Sequence, residues 1–407
     1  MELKQRYKQT EVGAIPIEWA EKRLGEIGQA LIGLTYSPAN VRSDGLLVLR
    51  SSNVADGTLT FEDNVFVDMD VPEKLIVKKG DILICVRNGS RELIGKCAKI
   101  DERAEGMTFG AFMAIFRTSF HDYVFHQFQS ETLKRQIREH LGATINQITN
   151  ASLNSFRIPL PEDVEEQRAI AGALGDVDAL VGSLEKLVAK KRNLIQGVMQ
   201  QLLTGQIRLA GFIGEWHVKR LAEIATLFRQ NVVPALSPNQ VFVHFSLPAF
   251  DAGRAPVVEL GSAIGSNKFR VPPNSVLVSK LNPRIPRVWA PPDIPEHAVC
   301  STEFLVLGPK TGVSREFLYS ICRSPSFCEQ MELLATGTTG SHQRMNPAEA
   351  LKIGVPFPPT LGEQSTIATV ISDMDAEIAA LETRLVKTQA LKQAMMQELL
   401  NGKTRLV

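Results

Sequence analysis

Basic and amide side chains cluster in short segments of the first half of the 407-residue chain. Residues 50–53 (RSSN) and 86–93 (VRNGSREL) follow apolar runs, and 142–150 (GATINQITN) precedes a proline-rich segment. Arg, Asn, Gln, Ser and Thr hydrogen-bond base edges, and Arg and Lys neutralise phosphates. We therefore predict a DNA-contacting set that comprises Arg50, Ser52, Asn53, Arg87, Asn88, Arg91, Thr144, Asn146 and Gln147.

The second half carries similar segments in corresponding places. SKLNPRIPRV (279–288) follows an apolar run and contains no acidic residue. GTTGSHQRMN (337–346) precedes a second proline-rich segment. The predicted DNA-contacting residues here are Lys280, Asn282, Arg284, Arg287, Thr338, Thr339, Ser341, His342, Gln343 and Arg344. Solvated loops after strands would also be polar, but their recurrence in both halves favours a shared role.

Catalytic motifs are missing from the sequence. It contains no phosphate-binding G-x-x-x-x-G-K-[ST], no G-x-G-x-x-G, no H-E-x-x-H and no Asn/Asp-Pro-Pro-aromatic motif of base methylation. The five cysteines include no C-x-x-C pair, which argues against a disulfide framework or a zinc site and is typical of a reducing compartment. We predict a non-enzymatic chain that binds no metal and no cofactor of its own.

An internal repeat organises the chain. At a shift of 197 positions, IEWAEKRLGEI (17–27) superposes on GEWHVKRLAEI (214–224). At the same shift, 19 of 44 positions are identical between 166–209 and 363–406, whereas the regions between these matching ends differ. The sequence predicts a tandem duplication, in which similar frames hold dissimilar middles.

Each frame ends in a predicted long helix with a narrow apolar stripe. The stripe alternates spacings of three and four residues, which is typical of a coiled-coil seam, although such a stripe could also pack on its own globular domain. Gly205 and Gly402 are suited to the left-handed position that ends a helix. The predicted helix-pairing residues are Leu174, Val177, Val181, Leu184, Val188, Ile195, Val198 and Leu202, with Ile371, Met374, Ile378, Leu381, Leu385, Met395 and Leu399.

The middles contain short apolar runs bounded by Gly, Asn, Asp and Pro, which indicate strands and turns. Examples are LLVL (46–49), KLIV (74–77), DILICV (81–86), VFVHF (241–245) and SVLVS (275–279). A helical stretch is expected over 125–141 and another over 314–334. The predicted fold class is α+β: a duplicated, mixed, strand-rich globular domain followed by a long α-helix, with the two helices paired as an antiparallel coiled coil.

Overall composition is that of a soluble protein: 44% hydrophobic and 22% charged residues, with a formal net charge of +1. A chain with so little net charge cannot bind nucleic acid through its overall charge, so any contact must come from local basic patches. The charged amino terminus is unlike a signal peptide, and no apolar run approaches the ~18 residues of a membrane span. We expect a cytoplasmic protein without membrane contact.

Two variable globules, each followed by a similar long helix, resemble the specificity subunit of type I restriction–modification enzymes. The likeness is carried by PLPEDVEEQRAI and PFPPTLGEQSTI, by QLLTGQIRL and ELLNGKTRL, by the repeated EW…KRL.EI openings and by GTTGSHQRMN. It covers essentially the whole chain, although GATINQITN lacks the paired threonines of its counterpart. The corresponding domains are 1–150 and 209–345 for target recognition, with 151–208 and 346–407 as helical spacers.

The resemblance implies a subunit that reads double-stranded DNA at a bipartite, asymmetric site, one part per globule. It also implies docking on two methyltransferase subunits, which would bring S-adenosylmethionine, and on restriction–translocase subunits that would cleave. A stand-alone methyltransferase or nuclease, a fused or type II-like specificity subunit, and a duplicated interaction scaffold that does not read DNA remain alternatives.

Linker length favours the antiparallel arrangement. Each helix of about 37 residues would measure roughly 55 Å, whereas only about eight residues separate the first helix from the second globule, a reach under ~30 Å. An antiparallel pair places the end of the first helix beside the start of the second, so this short linker suffices. We therefore expect the helices to set the distance between the two half-sites.

Overall fold

The computed structural model describes residues 7–142, 146–337 and 343–406. The chain folds into two compact units. The first lies within 1–183 and 384–407, and the second is formed by 184–383. None of the described helices is long and apolar enough to span a membrane.

The first unit contains most of the secondary structure of the first half. Its strands are β1 (Tyr7–Thr10), β2 (Gly13–Pro16), β3 (Trp19–Arg23), β4 (Gly28–Ile32), β5 (Val41–Arg42), β6 (Leu46–Leu49), β7 (Val54–Ala55), β8 (Thr58–Leu59), β9 (Phe66–Val67), β10 (Ile82–Cys85), β11 (Cys97–Lys99), β12 (Thr108–Phe109), β13 (Met113–Thr118) and β14 (Arg157–Pro161). Its helices are α1 (Leu24–Ile27), α2 (His121–Gln129), α3 (Glu131–Leu141), α4 (Asn150–Ser155) and the start of α5 (Val164–Leu202).

The second unit repeats much of this order. Its strands are β15 (His217–Arg220), β16 (Ala225–Phe228), β17 (Asn231–Val232), β18 (Val241–Phe245), β19 (Val257–Leu260), β20 (Lys268–Arg270), β21 (Val276–Ser279), β22 (Val288–Trp289), β23 (Ala298–Ser301), β24 (Phe304–Pro309), β25 (Ala335–Thr336), β26 (Arg344–Met345) and β27 (Gly354–Phe357). Its helices are α6 (Leu221–Ile224), α7 (Leu247–Asp251), α8 (Arg315–Arg323), α9 (Pro325–Leu333), α10 (Pro347–Ala350) and the start of α11 (Leu361–Leu399).

One sheet has the same strand order in the two units, whereas the other has four strands in the first unit and five in the second. An antiparallel sheet runs β4-β13-β10-β11 in the first and β16-β24-β21-β22 in the second. The other sheets are ordered β12-β6-β9-β5 and β17-β20-β23-β18-β19, and each contains one parallel pair, β6 with β12 or β18 with β23. Strand β3 pairs with β14, and β15 pairs with β27, just before each long helix. The predicted mixture of strands and helices is confirmed.

Strand β10 shows why the central strands appear as unbroken apolar runs. Ile82 and Ile84 belong to one buried cluster, and Leu83 and Cys85 belong to another. Successive side chains of a strand point to opposite faces, so a strand with both faces covered needs apolar residues at every position. The run at 74–77 is an exception: Leu75 and Val77 are buried, but the segment forms a short 3-10 turn rather than a strand.

Each predicted helix at the end of a middle is divided in two. Ser130 separates α2 from α3, and its hydroxyl accepts a hydrogen bond from the backbone N–H of Leu133. Ser324 separates α8 from α9 in the same way, through the N–H of Phe327, and Pro325 follows it. A serine cap satisfies the open donors of a new helix start, and proline is well tolerated in that first turn. Both predicted stretches are therefore helical, and the serine divides each into two helices.

The predicted pairing of the two long helices is confirmed, and contacts within each unit give its direction. In the first unit, Asp178 of α5 forms an ion pair with Lys392 of α11 at 2.6 Å, and Glu166 binds Arg405, which follows α11. Moving along α5 toward its carboxyl end thus moves back along α11. The helices of this unit run antiparallel.

The second unit shows the same direction. Lys191 of α5 pairs with Glu377 at 2.7 Å, and Arg208, beyond the end of α5, binds Glu363 at the start of α11. Lys191 and Lys392 had interrupted the apolar stripe in the sequence, and both instead bind carboxylates of the other helix. Gly205 and Gly402 follow the helix ends with φ of 74° and 66°, as expected of left-handed caps.

Burial divides the predicted helix-pairing residues into two groups. Those buried are Leu174, Leu184, Val188, Ile195, Leu202, Ile371, Ile378 and Leu399, and those half-buried are Val177, Val181, Val198, Met374, Leu381, Leu385 and Met395. The apolar stripe in the sequence did not include several residues that the structure also buries, namely Ile170, Met199, Leu203, Ile367, Met396 and Leu400. These additional residues pack against the globular parts as well as the helices, which widens the stripe at both ends.

Candidate nucleic-acid interface

Three polar segments of the first half meet at the ends of β6 and β10. Asn88 donates from its amide to the Ser51 hydroxyl at 3.3 Å, which joins the segment after β10 to the one after β6. Arg91 Nε donates to the Asn146 side-chain oxygen at 2.9 Å, which adds the third segment. Arg87 and Gln147 also form an antiparallel backbone bridge. The sequence placed these residues in separate loops, and the fold brings them together.

Exposure within this first cluster is uneven. Arg87, Arg91, Asn146, Gln147 and Ser52 are exposed and can reach a partner. Ser52 lies in the short turn after β6.

The prediction that Asn53 contacts DNA is wrong, because its side chain is fully buried. Its amide oxygen accepts from the N–H of Arg50 at 2.9 Å, and its amide nitrogen donates to the carbonyl of Thr60 at 3.1 Å. Arg50 is in turn paired with Asp63 at 2.8 Å. Asn53 therefore holds the turn after β6 in shape, and we leave it out of the candidate interface.

Two polar segments of the second half are joined through their backbones. The N–H of Asn282 donates to the Gln343 carbonyl at 2.8 Å, and the N–H of Met345 donates to the Lys280 carbonyl at 2.8 Å. Leu281 and Arg344 form an antiparallel bridge there. Asn282 adopts a φ of 50°, a left-handed conformation that asparagine tolerates better than most residues.

The bridges of the two units correspond. Gln147 and Arg344 are 197 positions apart, the offset of the repeat, and each pairs with the segment that follows a central strand, β10 or β21. The middles of the two halves differ in sequence, yet the same two loops are tied together at the same place in each unit.

Arg284 is the most accessible arginine of the second cluster. Its side chain is exposed, and its Nε lies 3.4 Å from the Asn282 side-chain oxygen. It borders an open cleft of about 540 Å³, also lined by Glu329, Glu332, Leu333 and Gln343. The cleft combines donors and acceptors within one surface, which suits contact with polar edges.

Arg287 differs from Arg284 because a carboxylate holds it. Its guanidinium donates to both oxygens of Asp251, at 2.7 and 2.9 Å, and its side chain is only 14% exposed. The Arg287 hydrogen bond lowers the pKa of Asp251. Arg344 is similarly placed against Glu303 at 3.2 Å. Arg287 thus anchors the base of the loop, and Arg284 at its tip is accessible.

Five predicted DNA-contacting residues lie outside the described residues: Thr144, Thr338, Thr339, Ser341 and His342. The sequence also missed several residues that shape the clusters, because they belong to other parts of the chain. Asp63, Asp251 and Glu303 hold three of the predicted arginines, and no local pattern connects them to those loops.

Phe112 was missed for a different reason. It lies in the apolar run GAFMAIF, which is typical of a buried strand, but its side chain is 57% exposed beside the first cluster. Arg87 lies over its ring, with the guanidinium carbon 5.1 Å from the centroid.

Among the described residues, no group of three or more His, Cys, Asp or Glu side chains could hold a metal ion. Burial raises the pKa of all five cysteine thiols, Cys85, Cys97, Cys300, Cys322 and Cys328, with Cys97 and Cys300 at about 12. Thiols with raised pKa are poor nucleophiles.

Two strand-rich units with polar loop clusters, joined to paired long helices, resemble type I restriction–modification specificity proteins. Residues 16–191 match the type I restriction modification DNA specificity domain. The chain is 30% identical over 213 residues to the specificity subunit of the MjaVIII type I restriction enzyme of Methanocaldococcus jannaschii. It is 28% identical over 230 residues to that of the StySPI enzyme of Salmonella potsdam. These alignments cover 50% and 52% of this chain.

The chain aligns with about half the length of these curated relatives, 49% in each case. Two solved structures share the fold over nearly the whole chain. The type I restriction–modification S subunit of M. genitalium has a TM-score of 0.60 at 14% identity, covering 94% of this chain and 96% of that one. A chain from a study of assembly and conformational transition of the type I system has a TM-score of 0.56 at 17% identity, covering 96% and 99%. The resemblance to type I specificity subunits predicted from the sequence is confirmed.

Proposed function

We propose that this chain is the DNA-reading specificity subunit of a type I restriction–modification complex. Each unit reads one part of a bipartite, asymmetric site through its polar loop cluster. The observation that carries this proposal is the recurrence of the same tied pair of loops, at Arg87 with Gln147 and at Leu281 with Arg344. Exposed side chains on a rigid, doubly anchored loop are what direct readout of bases requires.

The organisation of the chain supports an origin by tandem duplication. The order of one four-stranded sheet is the same in both halves, and identical residues recur at one offset. In functional terms, residues 1–150 and 209–345 are the recognition domains, and 151–208 and 346–407 are the helical spacers. Because side chains of the loops differ between units, each unit reads a different sequence.

Charge pairing in the loops implies that the isolated chain binds DNA weakly. Arg50, Arg287 and Arg344 each face a carboxylate of their own unit, which offsets part of their attraction for phosphates. Phosphate neutralisation supplies most of nonspecific affinity. We therefore infer that two methyltransferase subunits provide much of the phosphate contact when the complex assembles in the cytoplasm.

Catalysis belongs to the partner subunits in this proposal. The methyltransferases bind S-adenosylmethionine, and restriction–translocase subunits join for cleavage, while this chain binds no cofactor. Helices α5 and α11 dock the methyltransferases and set the gap between the half-sites.

The test reconstitutes the full chain with its methyltransferase subunits and maps methylated positions across a genome by sequencing. A two-part motif with a fixed gap is the expected result. Exchange of residues 1–150 for those of another such subunit should change one part of the motif and leave the other intact. A complex that binds or methylates without sequence preference would instead favour an interaction scaffold.

Arg284→Ala tests the second cluster directly. If Arg284 reads a base through two hydrogen bonds, its loss should cost about 1–3 kcal/mol of binding free energy and relax selectivity at one position. Arg220→Ala, at an exposed arginine of β15 outside both loops, is the matched control. Unchanged affinity and selectivity of the assembled Arg284 variant would remove this loop from the DNA surface.

The spacer role is tested by inserting one heptad near the middle of both long helices. Seven residues lengthen a helix by ~10 Å, or about three base pairs at 3.4 Å. The gap in the motif should grow by about one to three base pairs with both half-sites unchanged. Recognition of the original gap at full affinity would show that the helices do not set it.

A further inference from the structure

Phe112 occupies a backbone position that is fixed against the first loop cluster. Its carbonyl accepts hydrogen bonds from the N–H groups of both Val86 and Arg87, at 3.0 and 3.1 Å. Phe109 and Met113 on either side are fully buried, whereas the Phe112 ring is 57% exposed. The ring cannot turn into the core without breaking this turn, so the fold holds an aromatic side chain in solvent.

Folding alone does not require phenylalanine at this position. In the second unit, Glu303 precedes β24 as Phe112 precedes β13, and its carbonyl accepts from the N–H of Lys280 at 2.9 Å. The same turn therefore forms with a charged residue in place of the aromatic one. An exposed phenylalanine in a turn that tolerates glutamate is explained by a binding partner rather than by stability.

The neighbours of Phe112 indicate what that partner offers. Arg87 lies over one face of the ring, and Gln147 is bridged to Arg87 through the backbone. Arginine bonds to O6 and N7 of guanine, and phenylalanine makes apolar contact with the C5-methyl group of thymine in the major groove. Insertion of the ring between base pairs would need both faces to stack on bases, and the guanidinium already covers one of them.

We propose that Phe112 contacts the methyl group of a thymine in the half-site read by the first unit, with Arg87 beside it bonding to the same or an adjacent base pair. This inference rests on the proposed function and adds a specificity-determining residue to it. In the second unit the arginine lies on the other strand of the bridge, as Arg344, and Glu303 stands where the ring stands in the first unit, so this contact is not repeated at that position.

The experiment uses the full chain assembled with its methyltransferase subunits and a duplex carrying the motif. Each thymine of the first half-site is replaced in turn by uracil, which lacks only the C5-methyl group. At one position uracil should weaken binding by the wild-type complex about fourfold, the equivalent of one buried methylene-sized group. The Phe112→Ala complex should bind the thymine duplex more weakly and be insensitive to uracil at that same position.

Phe112→Leu keeps an apolar contact and should retain part of the sensitivity to uracil. Ile17→Ala is the matched control, since Ile17 is 52% exposed on the same unit. The control should behave as wild type, and thermal unfolding of all variants checks that the exposed substitutions leave folding unchanged.

Several outcomes overturn the inference while leaving the proposed function intact. These are a specific wild-type complex whose first half-site contains no thymine on either strand, an unaltered affinity of Phe112→Ala, or equal sensitivity to uracil in wild type and Phe112→Ala at every position. A wild-type complex without sequence preference would instead overturn the proposed function.

Discussion

Gln129 and Arg323 end corresponding helices, α2 and α8, but they meet the long helices in different ways. Arg323 donates two hydrogen bonds to Asp375 of α11, at 2.5 and 2.9 Å. Gln129 is uncharged, and its side-chain oxygen accepts from Lys392 of α11 at 2.7 Å, while Lys392 pairs with Asp178 of α5. In the second unit the globular part supplies the cation, and in the first unit a long helix supplies it.

The difference follows from one position on each helix. Asp178 and Asp375 correspond at the repeat offset of 197, as do Ile195 and Lys392. An aspartate that is two-thirds buried needs a cation, since burial of an unpaired charge is costly. Where the helix carries Ile195 the cation comes from Arg323, and where it carries Lys392 no arginine is needed. The charge balance is required, but the element that provides it can change.

A second contact is the same in both units. Glu166 is 1% exposed and accepts from Trp19 Nε1 at 3.0 Å and from Arg405 at 2.8 Å. The corresponding triad in the second unit joins Glu363 to Trp216 at 3.1 Å and to Arg208 at 2.7 Å. The Trp, Glu and Arg of this triad therefore keep their partners in both units, whereas the partner of the repeated aspartate changes.

Loss of the shared triad should have the largest effect, and a larger one in the second unit. Glu363→Gln leaves the Arg208 guanidinium without its carboxylate, whereas Arg405 keeps Glu18 at 2.8 Å in Glu166→Gln. Breaking a buried pair costs 3–5 kcal/mol, and the partly exposed Arg208 reduces this to about 3 kcal/mol for Glu363→Gln. Urea unfolding of the full chain measures the loss, and hydrogen exchange assigns it to a unit. A loss from Glu166→Gln as large as that from Glu363→Gln would mean that Glu18 does not compensate in the first unit.

Acid should loosen α2 in the first unit through His126. This residue is buried, its Nδ1 has no hydrogen-bond partner among the described residues, and Asp178 is 3.9 Å away. Burial lowers the pKa of His126 to about 4 from an ordinary 6.5. Between these values the unfolded chain takes up a proton that the folded chain does not, so stability falls as pH drops from about 6.5 to 4.

The expected loss approaches 2–3 kcal/mol at about pH 4, because each unit of pKa shift corresponds to 1.36 kcal/mol. His126→Leu should flatten this part of the curve of unfolding free energy against pH. His217→Gln, at an exposed histidine, should leave the curve unchanged. Parallel curves for wild type and His126→Leu would show that another group causes the acid sensitivity.

Asp375→Asn should cost about 1–2 kcal/mol, because Arg323 and Asp375 are both partly exposed and solvent screens the pair. Hydrogen exchange should rise in α8, the helix that the pair attaches. Asp178→Asn should instead affect the contact between α5 and α11. Increased hydrogen exchange in the corresponding short helices, α2 and α8, of both variants would contradict this difference between the units.

The smallest effect is expected from combining Lys392→Ile with Gln129→Arg, which builds the second unit's arrangement of charges into the first unit. Lys392→Ile alone removes the cation from Asp178 and should cost about 1–2 kcal/mol. Adding Gln129→Arg supplies the cation from α2, as Arg323 does from α8, and should recover most of that loss. A double-mutant cycle measures this coupling, and simple additivity of the two changes would contradict it.

Several parts of this molecule followed from local sequence. The strands at β6, β10, β18 and β21, the long helices and the glycines after them were predicted because periodicity and backbone restrictions act within a few residues. The divided helices at Ser130 and Ser324 were missed, since a serine in a helical pattern signals a cap only when the chain turns there.

The candidate interface depended on contacts that no local pattern encodes. The sequence chose the right loops, but it could not separate Arg284 from Arg287, because Asp251 lies 36 residues away from the arginine that it holds. It included Asn53, which is buried, and omitted Phe112, which is exposed, because apolar and polar composition predicts average burial and not the burial of one side chain.

The sequence by itself determined the repeat, the family resemblance and the paired helices, since these rest on periodic apolar residues and on identities at one offset. Tertiary structure alone decided which side chains of the loops reach solvent and which carboxylates hold the arginines. Those properties depend on residues distant in sequence, brought together when strands such as β10 and β21 are covered on both faces. Burial and charge pairing are therefore set by the completed fold.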